Sequence, residues 1–276
     1  MRVISADKIT ETVSALCIRA NTILRRDVLA QLKLAHKKET NKRARKILGA
    51  IIENAWVAKR EKLAICQDTG LPVVFLEIGQ EVRIRGDLNS AVNKGVESGY
   101  KKMFLRKSII SHPLSRGKSG YFPAVIHTET VKGNKLKITF FPKGFGCENK
   151  TQLKMFNPTA GIKEIKKFII HTVKSAGADA CPPYIVGVGI GGTADYAMFL
   201  AKRALLRAVN SQQSTVKRLE AELLKEINKL NIGPMGLGGK TTCLGVNIEI
   251  YPTHIAGLPV AVNISCHALR SATITL

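Results

Sequence analysis

Apolar residues recur at helical spacing through residues 7–62, at Ile9, Val13 and Leu16 and again at Ile47, Ile51, Ile52 and Ala55, with no proline or glycine before Gly49. That periodicity predicts helix. Residues 71–79, LPVVFLEIG, are a nearly unbroken apolar run of strand length, and residues 87–105 return to helical spacing with Asp87 placed as an N-cap. FPAVIHTETV and KLKITFFPK flank Lys132-Gly133-Asn134, a pattern that predicts a β-hairpin. A helix over 161–176 follows, then the strand IVGVGIGG running into a glycine turn, then helix over 194–230 broken near Asn210 and Ser211. Two strands, CLGVNIEIYPT and LPVAVNISC, close the chain around residues 253–257. Hairpins mixed with helix-linked strands predict an α/β fold of the mixed α+β kind, with helices packed around mixed β-sheets. No repeat, low-complexity linker or boundary divides the chain, so the expectation is one domain over 1–276 with a helical N-terminal region at about 1–62.

Composition narrows the class. The 276 residues are 45% hydrophobic, normal for a globular protein. No apolar run suits a bilayer span, and the start, MRVISADKITETV, has no apolar signal core. The expectation is a soluble cytoplasmic protein without a membrane role. The net charge of +23 is unusual. Its densest stretch is His36-Lys37-Lys38 continuing through Lys42, Arg43, Arg45 and Lys46. Aromatic content is only 5%, which leaves few base-stacking platforms. The basic residues are dispersed, so a solvated basic surface, an acidic partner subunit or an anionic substrate accounts for them better than nucleic acid does.

Two glycine motifs mislead. Gly187, Gly189 and Gly192 match G-x-G-x-x-G after a strand and before a helix. A dinucleotide site also needs a second strand ending in an acidic residue about twenty positions on. That region here is RAVNSQQSTVKRLEAE, polar and helical, so a tight strand-to-helix turn is the better reading. GPMGLGGKTT at 233–242 fails the phosphate-loop spacing and follows a helix, leaving a flexible loop with one cation, Lys240.

The six cysteines form no CxxC pair, and nothing suggests a disulfide framework or a zinc finger. Cys17 and Cys243 sit inside regular elements and read as structural. Cys66 (in CQDTG), Cys181 (in DACPPY) and Cys266 (in NISCHALR) stand at element boundaries beside Gly, Pro or polar residues. Three thiolates at such junctions could gather on an iron–sulfur cluster with one iron open to substrate; single buried thiols remain the alternative.

CQDTG at 66–70, LRKSII at 105–110, PAVIHTE at 123–129, CPPYIVGVGIGGTADYA at 181–197 and GLGGKTTCLGVNIEIYPTHIAGLPVAVNISCHALR at 236–270 together resemble the alpha subunit of the class I, iron–sulfur-dependent fumarate hydratases and tartrate dehydratases. The similarity covers nearly the whole chain. It implies a single cluster-binding domain in which Cys66, Cys181 and Cys266 hold a [4Fe–4S] cluster with one open iron. It implies substrate contacts from Gln67, Arg106 and the backbone of Gly146, and catalytic roles for Asp68 and His254 in proton transfer or hydroxyl orientation. Read alone, each has a plainer reading that is preferred: Asp68 forms a turn as an Asx residue, Arg106 is a charge at a helix C-terminus and His254 sits in a loop beside Pro252.

The implied reaction is the tricarboxylic-acid-cycle hydration of fumarate to (S)-malate, with tartrate dehydration to oxaloacetate as the alternative. Outside that class stands a cluster-free basic nucleic-acid-binding protein. Phe145 and Cys147 depart from the family's usual glycine and serine, which bears on the Gly146 contact and leaves Cys147 as a thiol near the site. Met235 and the stretch before Pro113 also depart. The chain stops at Leu276, before the half that supplies further arginines, a lysine and the proposed threonine base in single-chain members. The resemblance therefore implies a separate beta subunit in an α2β2 assembly, and an alpha chain inactive by itself.

Overall fold

The computed structural model describes residues 1–209 and 216–276. The first elements are β1 (Arg2–Ser5), α1 (Ala6–Thr22), α2 (Arg26–Lys38), α3 (Lys42–Glu61), β2 (Leu71–Gly79), β3 (Val82–Arg85) and α4 (Leu88–Lys102). Next come β4 (Ile109–His112), β5 (Arg116–Gly120), β6 (Val125–Val131), β7 (Leu136–Lys143), α5 (Phe145–Glu148), β8 (Gln152–Phe156) and α6 (Ile162–Ala176). The chain ends with β9 (Tyr184–Gly192), α7 (Ala194–Ala204), α8 (Lys217–Asn228), β10 (Cys243–Thr253), β11 (Leu258–Ser265) and β12 (Ala272–Thr275). The fold is mixed α/β, as the pattern predicts. The helix break expected near Asn210 and Ser211 lies outside the described residues.

The contacts divide the chain into two compact units interleaved in sequence. The first holds Met1–Arg25, Ala55–Phe145 and Arg270–Leu276; the second holds Arg26–Asn54 and Gly146–Leu269. No linker separates them, which is why no boundary shows in the composition.

The long N-terminal helical stretch is three helices. The second restart has a local cause. Glu39, 3% exposed, accepts from the Thr40 and Asn41 N–H groups at 2.9 Å each. Asn41 then caps α3, its Oδ1 accepting from Arg43 N at 3.0 Å and Ala44 N at 3.2 Å.

In the first unit a four-stranded sheet runs β12-β7-β2-β6. The hairpin expected from β6 and β7 does not form. β2 lies between them, parallel to β6 and antiparallel to β7. Its apolar run buries both faces and takes a central position. The turn after β2 closes on the β6–β7 loop instead, with Gly79 N bonded to Lys135 O at 2.9 Å and Glu81 N to Gly133 O at 3.0 Å. Apolar residues of α1 and α4 cover one face of this sheet, with Ile9, Val13, Leu16, Val92 and Val96 fully buried. α4 begins at Asp87, whose Oδ1 accepts from Ser90 N at 2.5 Å, as expected. Gly95 and Gly99 let it rest on α1, since a Cβ at either would stand within 2.8 Å of α1 atoms.

The second unit's sheet runs β10-β9-β11-β8, with β9 parallel to β10 and antiparallel to β11. Tyr184, Val186 and Val188 pack with Ile165, Ile169 and Val173 of α6 and Leu223 and Ile227 of α8. The alternate residues face α7. A Cβ on Gly187 would stand 2.1 Å from Ala201 O, and one on Gly189 2.1 Å from Ala197 O. The G-x-G-x-x-G glycines thus serve close helix-on-strand packing. Gly189→Ala is expected to lower stability by about 1–3 kcal/mol, measured as the chemical denaturation midpoint; an unchanged midpoint would show that α7 yields freely.

The loop at 233–242 is tied down rather than flexible. Met235 N bonds Pro182 O at 2.8 Å, Lys240 N bonds Glu39 Oε2 at 2.8 Å, and Thr242 Oγ1 accepts from Ile232 N at 3.1 Å. Among the described residues no helix is long and apolar enough to cross a membrane.

Candidate active site

In the first unit CQDTG runs from the end of α3 into β2, and its polar groups are held from below. Ile65 N bonds Asn21 O at 2.9 Å. The Tyr100 hydroxyl donates to the carbonyls of Thr69 at 2.8 Å and Gly70 at 3.2 Å. Burial pushes that phenol well above its ordinary pKa, so it stays a donor. Arg270, 3% exposed, donates to Asp68 O at 2.7 Å and Asn21 Oδ1 at 3.2 Å. Gly70 sits at φ +80, where a Cβ would stand 2.7 Å from the Pro142 carbonyl carbon. Only glycine turns the chain into β2 there.

Above this floor is a cavity of about 530 Å³ lined by Cys66, Gln67, Thr69 and Arg106 among others, with Lys62 and Lys102 at its rim. No carboxylate side chain lines it among the described residues. The structure thus brings together Cys66, Gln67 and Arg106. Cys66 is half-buried with its sulfur 3.5 Å from Gln67 Oε1. Arg106 is exposed, and its carbonyl accepts from Thr69 Oγ1 at 3.4 Å. Asp68 does not line the cavity. Its Oδ1 accepts from Gly70 N at 3.0 Å, an Asx turn, and its Oδ2 from Phe145 N at 2.8 Å.

In the second unit Cys181 precedes β9 at φ +55, and Cys266 follows β11, whose Ser265 pairs with Ile185 of β9. Both therefore stand at one end of the sheet. His267 links them: its Nδ1 lies 3.0 Å from Cys181 O, and its backbone N–H donates to the same oxygen at 3.4 Å. Cys147 is buried and donates to Ala180 O at 3.3 Å, so it supports the Cys181 loop from the core. Gly146 lies exposed on α5, where a Cβ would approach only Asp179 O, at 3.8 Å.

His254 stands elsewhere. It follows β10, whose Thr253 pairs with Gly192 at the far end of β9. β9 has nine residues, so at strand rise His254 is roughly 26 Å along the sheet from Cys181 and Cys266. There it borders a cleft of about 430 Å³ with Thr193, Tyr196 and Tyr251, and its Nδ1 accepts from Ala256 N at 3.1 Å.

Burial sorts the six cysteines into two groups. Cys17, Cys147 and Cys243 are buried, while Cys66, Cys181 and Cys266 are half-exposed. Burial raises the Cys17 thiol well above its ordinary pKa and the Cys243 thiol to about 12. Neither suits a thiolate ligand. The half-exposed three fit a group that needs accessible thiolates. Among the described residues no group of three or more His, Cys, Asp or Glu side chains is gathered closely enough to hold a single metal ion.

Arg270, Tyr100, Asn21 and His267 have no counterpart among the residues singled out from the sequence. Arg270 and His267 lie in SCHALR beside Cys266, and that adjacency is the one signal that marks them.

Residues 10–275 match the family described as Fumarate hydratase (Fumerase). The "Putative L(+)-tartrate dehydratase subunit alpha" of Methanocaldococcus jannaschii is 41% identical over 276 residues, covering 96% of this chain and 96% of its own. The "L(+)-tartrate dehydratase subunit alpha" of Escherichia coli K12 and that of Shigella sonnei are each 30% identical, covering 98% of this chain and 91% of theirs. The chain belongs to the fumarate hydratase family, and it is a hydro-lyase.

Proposed function

We propose that the chain is the alpha subunit of a two-subunit hydro-lyase that hydrates fumarate to (S)-malate. The observation that carries this reading is the cavity beside Cys66, lined by Gln67 and Arg106, rimmed by Lys62 and Lys102 and, among the described residues, without a lining carboxylate. Such a site suits a small dicarboxylate. Arg106 offers a bidentate fork for one carboxylate.

Cys66, Cys181 and Cys266 would hold the [4Fe–4S] cluster. When bound, it supplies an open iron as a Lewis acid for the hydroxyl that joins or leaves the substrate. Gln67 orients that hydroxyl. Asp68 already accepts one N–H at each oxygen, and each keeps a lone pair for a substrate or water proton. Gly146 offers its backbone to the substrate. In hydration a C–O bond forms at one alkene carbon and a proton is added at the other, so a positioned acid–base group is needed. His254 lies too far along its own sheet to meet Cys181 and Cys266. Its proposed part in proton transfer therefore needs a site other than the end of the sheet where Cys181 and Cys266 stand. The beta subunit would supply the remaining groups, and a cytoplasmic location fits this role.

A second reading has its own support. The relatives named above carry tartrate dehydratase alpha-subunit names. Under it the same residues eliminate water from tartrate to give oxaloacetate.

The test is anaerobic purification with the beta subunit, iron and sulfide analysis, and parallel assays on fumarate and L(+)-tartrate. Fumarate turnover with iron present is the expected result. Iron with tartrate turnover alone moves the assignment to the second reading. Absence of iron after anaerobic reconstitution overturns the cluster.

A further inference from the structure

α3, whose last turns lie in the first unit, and α4 are followed by residues that a turn alone would not select. Lys62 follows α3 at φ +55 and Phe104 follows α4 at φ +52. Both are left-handed C-terminal positions, closed by Leu63 N to Ala58 O at 3.0 Å and Leu105 N to Tyr100 O at 2.9 Å. Glycine is favoured there because a Cβ crowds the preceding turn. Lysine and phenylalanine in this conformation carry strain, and strain of this kind persists where the side chain is used.

What the side chains do is visible in their exposure. Phe104 is 95% exposed and Leu63, beside Lys62, 53%. An aromatic ring held out by a strained backbone is a poor solution for a surface that stays wet. Lys62, Leu63 and Phe104 all line the cavity that contains Cys66, Gln67 and Arg106, and Lys102 joins them. The apolar rim is thus continuous with the proposed substrate pocket.

We infer that the rim formed by Lys62, Leu63, Lys102 and Phe104 is the docking face for the beta subunit, an inference that rests on the two-subunit reading above. The chemistry of the partner follows from the rim. It presents an apolar recess for the Phe104 ring, flanked by carboxylates or carbonyls that meet Lys62 and Lys102. Continuity with the cavity selects the beta subunit over a second alpha chain. A chain seated on this rim closes the cavity's open side and brings its own groups to the substrate, as the two-subunit reading requires.

Phe104→Gly tests this directly, because it removes the ring and the backbone strain together. The isolated alpha chain keeps or raises its melting temperature. Its affinity for the cognate beta subunit, measured by calorimetric titration, falls about 10–100-fold, the loss expected for one buried aromatic ring. Leu63→Ser, which leaves the backbone turn intact, weakens the complex in the same direction. Sedimentation of the alpha chain alone is run in parallel. Unchanged affinity in both variants overturns the docking face, as does a loss confined to alpha–alpha association or failure of the wild-type chains to associate. A wild-type complex that forms without iron or turnover overturns the cluster reading instead, and leaves the docking face standing.

Discussion

Serine at Cys66, Cys181 or Cys266 is expected to abolish hydration and to strip iron from the anaerobically purified complex. The loss should exceed about a hundredfold in each case, beyond the cost of losing an outer partner of a metal ligand. Serine is nearly isosteric with cysteine, so the fold should survive. Each of these thiols is half-exposed in a segment between regular elements. Cys243→Ala supplies the contrast. That thiol is 2% exposed, in the core of the second unit, and donates to Gly245 O at 3.2 Å. Its loss should cost about 1 kcal/mol of stability while iron content stays at the wild-type level. Iron and activity retained in any one of the three serine variants would remove that residue from the ligand set. Equal iron loss in Cys243→Ala would show that the measurement reports folding rather than ligation.

The parts of this molecule legible in the sequence are those decided locally. β2 announces itself by an apolar run, α4 by Asp87 followed by helical spacing, and the three half-exposed cysteines by their place at element boundaries. Strand order is not local. β6 and β7 are separated by a short turn that suits a hairpin, yet β2, far earlier in the chain, takes the position between them. β10 and β11 are likewise parted by β9. The short strands β1, β3 and β12 bury too few residues to leave a period. The restart at Asn41 depends on one side-chain cap that composition does not single out. The supports of the site are the least legible of all. Arg270 lies 202 residues from Asp68 and 249 from Asn21, so its role is created wholly by the fold. The reverse case is His254, whose place in a strong motif says nothing of its separation along the sheet from Cys181 and Cys266.

Arg270→Met is expected to be the most damaging substitution outside the proposed ligands. The guanidinium is buried, and it donates to Asp68 O and Asn21 Oδ1 while its Nε has no partner among the described residues. A buried cation bonded to neutral acceptors is costly to keep, and its retention under CQDTG is explained by what it holds in place. Methionine fills much of the volume but leaves the buried Asn21 Oδ1 and the part-buried Asp68 O without this donor, at a cost of about 3 kcal/mol. Lysine should not rescue it, since one ammonium cannot reproduce the planar fork that spans both oxygens. Tyr100→Phe attacks the same loop from the other side. It removes the hydroxyl that serves Thr69 O and Gly70 O and should cost about 1–3 kcal/mol. Because both side chains support one short segment, the double variant should lose less than the sum of the two. Thermal melting measures the stability loss, at about 2–4 °C per kcal/mol for a chain near this size. A loosened loop should also raise KM and lower iron occupancy, because Gln67 and Cys66 are carried on it. Full additivity in the double variant, or wild-type iron and KM in Arg270→Met, would show that the loop keeps its shape without this floor.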